Sequence, residues 1–172
     1  EFAVAISKLQ IKVVNVVIDK NHIKTEDYPV LANALTYNVQ RIENDSKGAW
    51  KYIIISDKGR IAPMRKTARQ IRAFNPIQSI FGGSRNVPVQ GLIEDILEKD
   101  SSESYFIQIC DFISFFVNLY YKNVVKKELL PIRVQQVIDT EFIGRVMATF
   151  EHGGILNKKA SSQKLGLVIY PK

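Results

Sequence analysis

The run Tyr52-Ile53-Ile54-Ile55-Ser56-Asp57 is the stretch on which the fold turns, with Lys58-Gly59-Arg60 closing it as a turn. A short, unbroken β-branched run of this kind predicts a strand covered on both faces, the pattern of parallel sheets. Asp57 then ends the strand where burial is expected, and a buried carboxylate is costly unless something positive compensates it. Asp111 has the same character. It interrupts the apolar run from Tyr105 to Val117, which is too long for a strand and reads as a core helix. Two such carboxylates in one domain predict a shared cation.

Working outward, residues 11–18 (Ile-Lys-Val-Val-Asn-Val-Val-Ile) predict a strand ending at Asp19-Lys20. Residues 28–43 place Val30, Leu31, Leu35, Val39 and Ile42 at near-helical spacing, stopped by Asp45-Ser46-Lys47-Gly48. A second helix is expected over 62–74 and is broken by Asn75-Pro76. A Gly/Ser/Pro loop from Gly82 to Pro88 and a short strand, Gly91-Leu92-Ile93-Glu94, follow. Asp100 and Glu103 have capping-box spacing, with Ser101 the alternative cap, and either starts the long helix. Beyond Pro131 the expectation is a helix over 134–148, a polar loop, and a last strand over 165–170.

This β-α-β-α-β-α order predicts an α/β sandwich with a mostly parallel central sheet and flanking helices. Right-handed crossovers carry the strand ends to one edge, and ligands in such sheets sit beyond the carboxyl ends of strands. Asp57 occupies that position. The expected organisation is a core over 1–130 and a C-terminal helix, loop and strand over 131–172.

With 172 residues, 46% of them hydrophobic, the chain fits one domain, or one domain with a tail. Twenty-four Lys and Arg against 17 Asp and Glu leave a net charge of +7, which favours polyanionic partners, nucleic acid before an acidic membrane surface. An ordinary lysine-rich surface is the competing reading. The single cysteine, Cys110, excludes an internal disulfide, fits a reducing cytoplasm, and is expected as a buried structural thiol. No signal peptide is apparent, and residues 105–121, interrupted by Gln108, Asp111, Ser114 and Asn118, make a poor membrane span. His22 and His152 are the only histidines, and no Cys/His spacing suits zinc. No GxSxG is present, and Phe81-Gly82-Gly83-Ser84-Arg85 lacks the P-loop pattern, so a plain loop competes with a phosphate cradle there.

At 100° per residue, Ser104, Gln108, Asp111, Ser114 and Asn118 fall on one stripe of the long helix, roughly 120° wide. A solvated face is the bland reading. The stripe holds no Lys, Arg or Glu between Tyr105 and Tyr121, which suits a cleft wall or metal site better. Oxygen ligands are what Mg²⁺ or Mn²⁺ prefers, and such an ion serves phosphoryl chemistry. Arg65, Arg69 and Arg72 at i, i+4 and i+7, with Lys66 and Arg85, are candidate contacts to a nucleic-acid backbone; a solvated helix face is again the alternative. The lysines at 122, 126, 127, 158, 159 and 164 are not interleaved with aromatics, so no single-strand stacking platform is evident.

Several blocks occur in a recognisable order: Gln40-Arg41-Ile42-Glu43-Asn44, the strand to Asp57, Asn75-Pro76-Ile77-Gln78-Ser79, Glu94-Asp95, Asp100-Ser101, and Ser104-Tyr105-Phe106-Ile107-Gln108-Ile109-Cys110-Asp111-Phe112. Over roughly residues 10–120 they resemble the bacterial domain of unknown function 3800 family, whose members look RNase H-like and often sit near mobile or phage-defence elements. The resemblance implies that Asp57 and Asp111 are catalytic, metal-holding carboxylates, with Ser104 and Gln108 their polar neighbours. Glu43, Asp95 and Asp100 match acidic positions without an assigned role. The strand carrying Asp-Glu-Ser-Gly that usually opens this family is not found here, and Asp19, in Val-Ile-Asp-Lys, resembles a later strand. The chain opens at Glu1-Phe2 without methionine, so an N-terminal truncation removing that strand is one expectation.

The leading functional expectation is a cytoplasmic, divalent-metal-dependent nuclease or related phosphodiester-processing domain acting by in-line attack of a metal-bound water. A non-catalytic nucleic-acid-binding or protein-interaction module on the same scaffold is the rival. A homo-oligomer or a subunit of a defence complex is a further one. DNA and RNA are not distinguished.

Overall fold

A computed structural model describes residues 1–78, 82–158 and 164–171, without the side chains of Gln78 and Lys164. Ser79, Phe81 and Lys159, singled out above, lie outside the described residues. The chain is mixed α/β and divides into two units: residues 1–15 with 105–168, and residues 16–104 with 169–172. This division does not follow the expected one at residue 130.

In the second unit the helices expected from periodicity are α2 (Val30–Ser46) and α3 (Ile61–Ala73). α2 buries Leu35 and Val39, four residues apart on one face, and stops where Lys47 turns left-handed at φ 51°. α3 tolerates Pro63 because it lies in the first turn, where the missing N–H has no intrahelical acceptor. Leu35, Val39, Ala68, Ile71, Val89, Leu92 and Ile96 form one buried cluster, with Tyr52, Ile54, Ile61 and Met64 packed against it.

The strand at 52–57 is shorter than its composition suggests. β2 covers Ile55–Asp57, preceded by one parallel bridge from Tyr52 to Leu92. β2 runs parallel to β5 (Leu97–Lys99), with Ile55 opposite Leu97 and Asp57 opposite Lys99. The expectation of cover on both faces is corrected: Ile53 and Ile55 are 44% and 50% exposed, while Tyr52 and Ile54 turn toward the cluster. The isoleucines alternate between core and solvent, and composition alone does not report the second layer. The strand expected at 91–94 lies instead at 97–99. At Gly91 the two segments come too close for a side chain: Tyr52 N–H donates to Gly91 O at 2.9 Å, and an added Cβ would stand 2.5 Å from Tyr52 Cε1.

β3 (Pro76–Gln78) pairs antiparallel with β4 (Ser84–Asn86), so part of the expected Gly82–Pro88 loop is strand. Asn75, 1% exposed, anchors this hairpin. Its Nδ2 donates to Val87 O at 2.9 Å and its Oδ1 accepts from Gln40 Nε2 at 2.8 Å. The remaining strand pair is β1 (Asn15–Ile18) with β6 (Leu167–Tyr170). Among the described residues the strands therefore form three two-stranded sheets. β1 and β6 are shorter than the strands expected at 11–18 and 165–170.

The first unit is helical: α1 (Phe2–Ser7), α4 (Tyr105–Leu119), α5 (Ile132–Gln135) and α6 (Thr140–His152). α4 continues as a π-helical segment through Val125. α6 begins later than the expected helix at 134 because Asp139 caps it, its carboxylate accepting from Phe142 N–H at 2.6 Å. α1 packs on α6, and at the end of α6 a Cβ on Gly153 would meet Ser7 O at 2.5 Å. Among the described residues no helix is long and apolar enough to cross a membrane.

Candidate functional site

Parallel pairing brings the carboxyl ends of β2 and β5 to one rim, so the residues after each strand stand side by side. Asp57 Oδ1 accepts the Ser101 N–H at 3.1 Å. Lys58 Nζ lies 2.8 Å from Asp100 Oδ2, and Glu98 accepts the Gly59 N–H at 2.7 Å. Asp100 also accepts from the N–H and hydroxyl of Ser102, at 2.9 and 2.6 Å, capping a 3₁₀ turn over Ser101–Glu103. The capping signal was therefore real, but it starts this turn rather than the long helix. The Lys58 ammonium, then Ser102, hold the Asp100 carboxyl well below the usual carboxylate range, and Asp100 in turn raises Lys58. From sequence Lys58 is only part of a turn, and Glu98 carries no motif. Their only signal was position, each within one residue of a strand end.

The burial expected of both key carboxylates is overturned. Asp57 and Asp111 are exposed. On α4 the whole stripe Gln108, Asp111, Ser114 and Asn118 faces solvent, while Ser104, just before the helix, is 8% exposed. The stripe keeps its helical period, but the aromatic content of the run does not report burial. Tyr105 and Phe106 are themselves 81% and 68% exposed. Asp57 belongs to the second unit and Asp111 to the first. Among the described residues no group of three or more His, Cys, Asp or Glu side chains could hold a metal ion.

Cys110 is exposed, not buried as expected. Partial desolvation, then the Asp111 carboxylate, push its thiol pKa up, which lowers the thiolate fraction at neutral pH.

The arginines of α3 share a face, as their spacing predicts, but they are engaged within the unit. Arg65 Nε donates to Ile96 O at 2.9 Å, Arg69 binds the Asp95 carboxylate at 2.5 Å, and Arg72 donates to Glu94 O at 2.5 Å. Together they clamp the segment leading into β5. Lys66 and Arg85 are exposed, Arg85 on β4. Ile61, Ala62, Arg65, Lys66, Arg69 and Gln70 line an open groove of about 620 Å³.

Each unassigned acid thus acquires a role. Asp95 receives Arg69 and Asp100 receives Lys58, while Glu43 accepts the Tyr52 hydroxyl at 2.6 Å. Burial, with the Glu43 hydrogen bond, raises the Tyr52 hydroxyl far above its ordinary value. Asp19 is 7% exposed and accepts from Asn21 N–H and His22 Nδ1, at 3.1 and 2.7 Å, capping a 3₁₀ turn.

Among known proteins, no family model, no curated protein and no solved structure matches this chain.

Proposed function

We propose that this chain is a nucleic-acid-processing domain of RNase H-like architecture, in which Asp57, at the rim of the β2–β5 pair, supplies an oxygen to Mg²⁺ or Mn²⁺. One observation carries the reading: Asp57 ends a parallel strand with its carboxylate exposed and steadied by the Ser101 amide. The region beyond the carboxyl ends of parallel strands is where α/β sheets take ligands. Hard oxygen donors fit a hard divalent cation, and when bound it would supply charge neutralisation at a phosphoryl oxygen. The chain's own contribution is to orient Asp57 through Ser101, and to place Lys58 beside the same rim.

The test is cleavage of labelled single- and double-stranded DNA and RNA with Mn²⁺, alongside Mn²⁺ titration. Asp57→Asn is expected to lower turnover by about a hundredfold or more, with unchanged circular dichroism. Unchanged turnover in this variant refutes the assignment.

A second reading, nucleic-acid binding without cleavage, is favoured by the groove on α3, where Lys66 is exposed beside Arg65 and Arg69. It predicts metal-independent binding whose affinity falls steeply with salt.

A further inference from the structure

The first unit carries an open apolar groove of about 570 Å³ walled by α1, α4, α6 and Val137-Ile138. Phe116 and Val146 are buried in its lining, whereas Phe2, Val4, Phe115, Val137 and Phe142 are 50, 46, 42, 81 and 40% exposed. Ile138 also lines the neighbouring depression, which adds Leu129, 89% exposed. Such fractions are unfavourable in water unless something covers them.

The exposed area matches what a dimer requires. Taking about 200 Å² for an aromatic side chain and roughly 150 Å² for Val or Leu, these fractions leave roughly 600 Å² of contiguous apolar surface. An interface of standard size hides about 800 Å² per partner, of which roughly 500 Å² is apolar. The charges on this face also suit a copy of itself. The unit as a whole holds ten Lys and Arg against six Asp and Glu, yet here Glu1 and the Arg145–Glu141 ion pair bring both signs to the groove. A surface that pairs with itself about a twofold axis must be self-complementary, with both signs present. A strongly acidic or basic partner would instead meet a rim of one sign.

We propose that this face is the contact between two copies of the chain, joined as an isologous dimer. Val137 is the most exposed of the apolar residues lining the groove, and Leu129, more exposed still, stands at its margin.

The proposal stands independently of metal binding and cleavage. Its test is sedimentation equilibrium of the full chain from about 1 to 200 μM, the weak end of the affinities that interfaces of this size give. The wild-type mass is expected to rise from 19.6 kDa toward twice that value and to level off there. Val137→Asp and Leu129→Asp, both at positions outside the core, should raise the dimer dissociation constant about tenfold or more with unchanged circular dichroism. A wild type that stays monomeric throughout overturns the proposal, as does growth past two copies without a plateau. So does a Val137→Asp variant that dimerises like the wild type.

Discussion

Gly91→Ala is the substitution that most directly probes how the rim carrying Asp57 is built. The added Cβ would lie 2.5 Å from Tyr52 Cε1, 2.6 Å from Glu43 Oε1 and 2.7 Å from Trp50 O. The tyrosine ring can swing aside, but Trp50 O is backbone and cannot move without displacing the segment that begins the parallel pairing. Overpacking of this kind costs about 1–3 kcal/mol. Moving the ring also breaks its 2.6 Å bond to Glu43, worth about 1–2 kcal/mol for a partly buried carboxylate acceptor. The expected loss is about 2–5 kcal/mol, a large share of a typical domain's stability. Urea denaturation followed by the fluorescence of Trp50, the only tryptophan, reads this region directly. In a Glu43→Ala background one of the three close atoms is gone and the hydrogen bond is already lost. Gly91→Ala should therefore cost about 1–2 kcal/mol less there. A loss under about 1 kcal/mol in the wild-type background, or strict additivity with Glu43→Ala, refutes the close approach.

Asn75→Ala should destabilise the second unit by about 1–3 kcal/mol, because it removes the bonds that the buried Asn75 makes to Val87 O and to the Gln40 amide. Thermal denaturation measures this, and a shift within error would show that the hairpin does not depend on that side chain. Asp100 is depressed by Lys58, so what it adds to stability is complete above its ordinary value of about 3.9 and disappears as pH falls through the depressed one. The stability difference between wild type and Asp100→Asn should accordingly shrink below about pH 4. A difference constant from pH 2 to 7 would mean that the Lys58 contact contributes nothing.

The sequence by itself was sufficient for α2 and α3, because their boundaries rest on local chemistry: apolar spacing at Leu35 and Val39, the stop at Lys47-Gly48, and Asn75-Pro76. It likewise placed Asp57 at the end of a strand, and α4 over the apolar run from Tyr105. Burial was a different matter. Whether Ile55, Asp57 or Asp111 is covered depends on which distant segment packs there, and no periodicity encodes the partner. The three arginines show the same limit, since a spacing of four and seven residues puts them on one face but does not reveal that Glu94, Asp95 and Ile96 lie against it. Lys58 and Asp100, 42 residues apart, meet only because β2 and β5 run parallel and end together. Local propensity acts over one or two turns of chain, whereas strand pairing, burial and ion pairing are decided by long-range packing; that is why α2, α3 and α4 were legible in advance, while β4, β5 and the surroundings of the side chains were not.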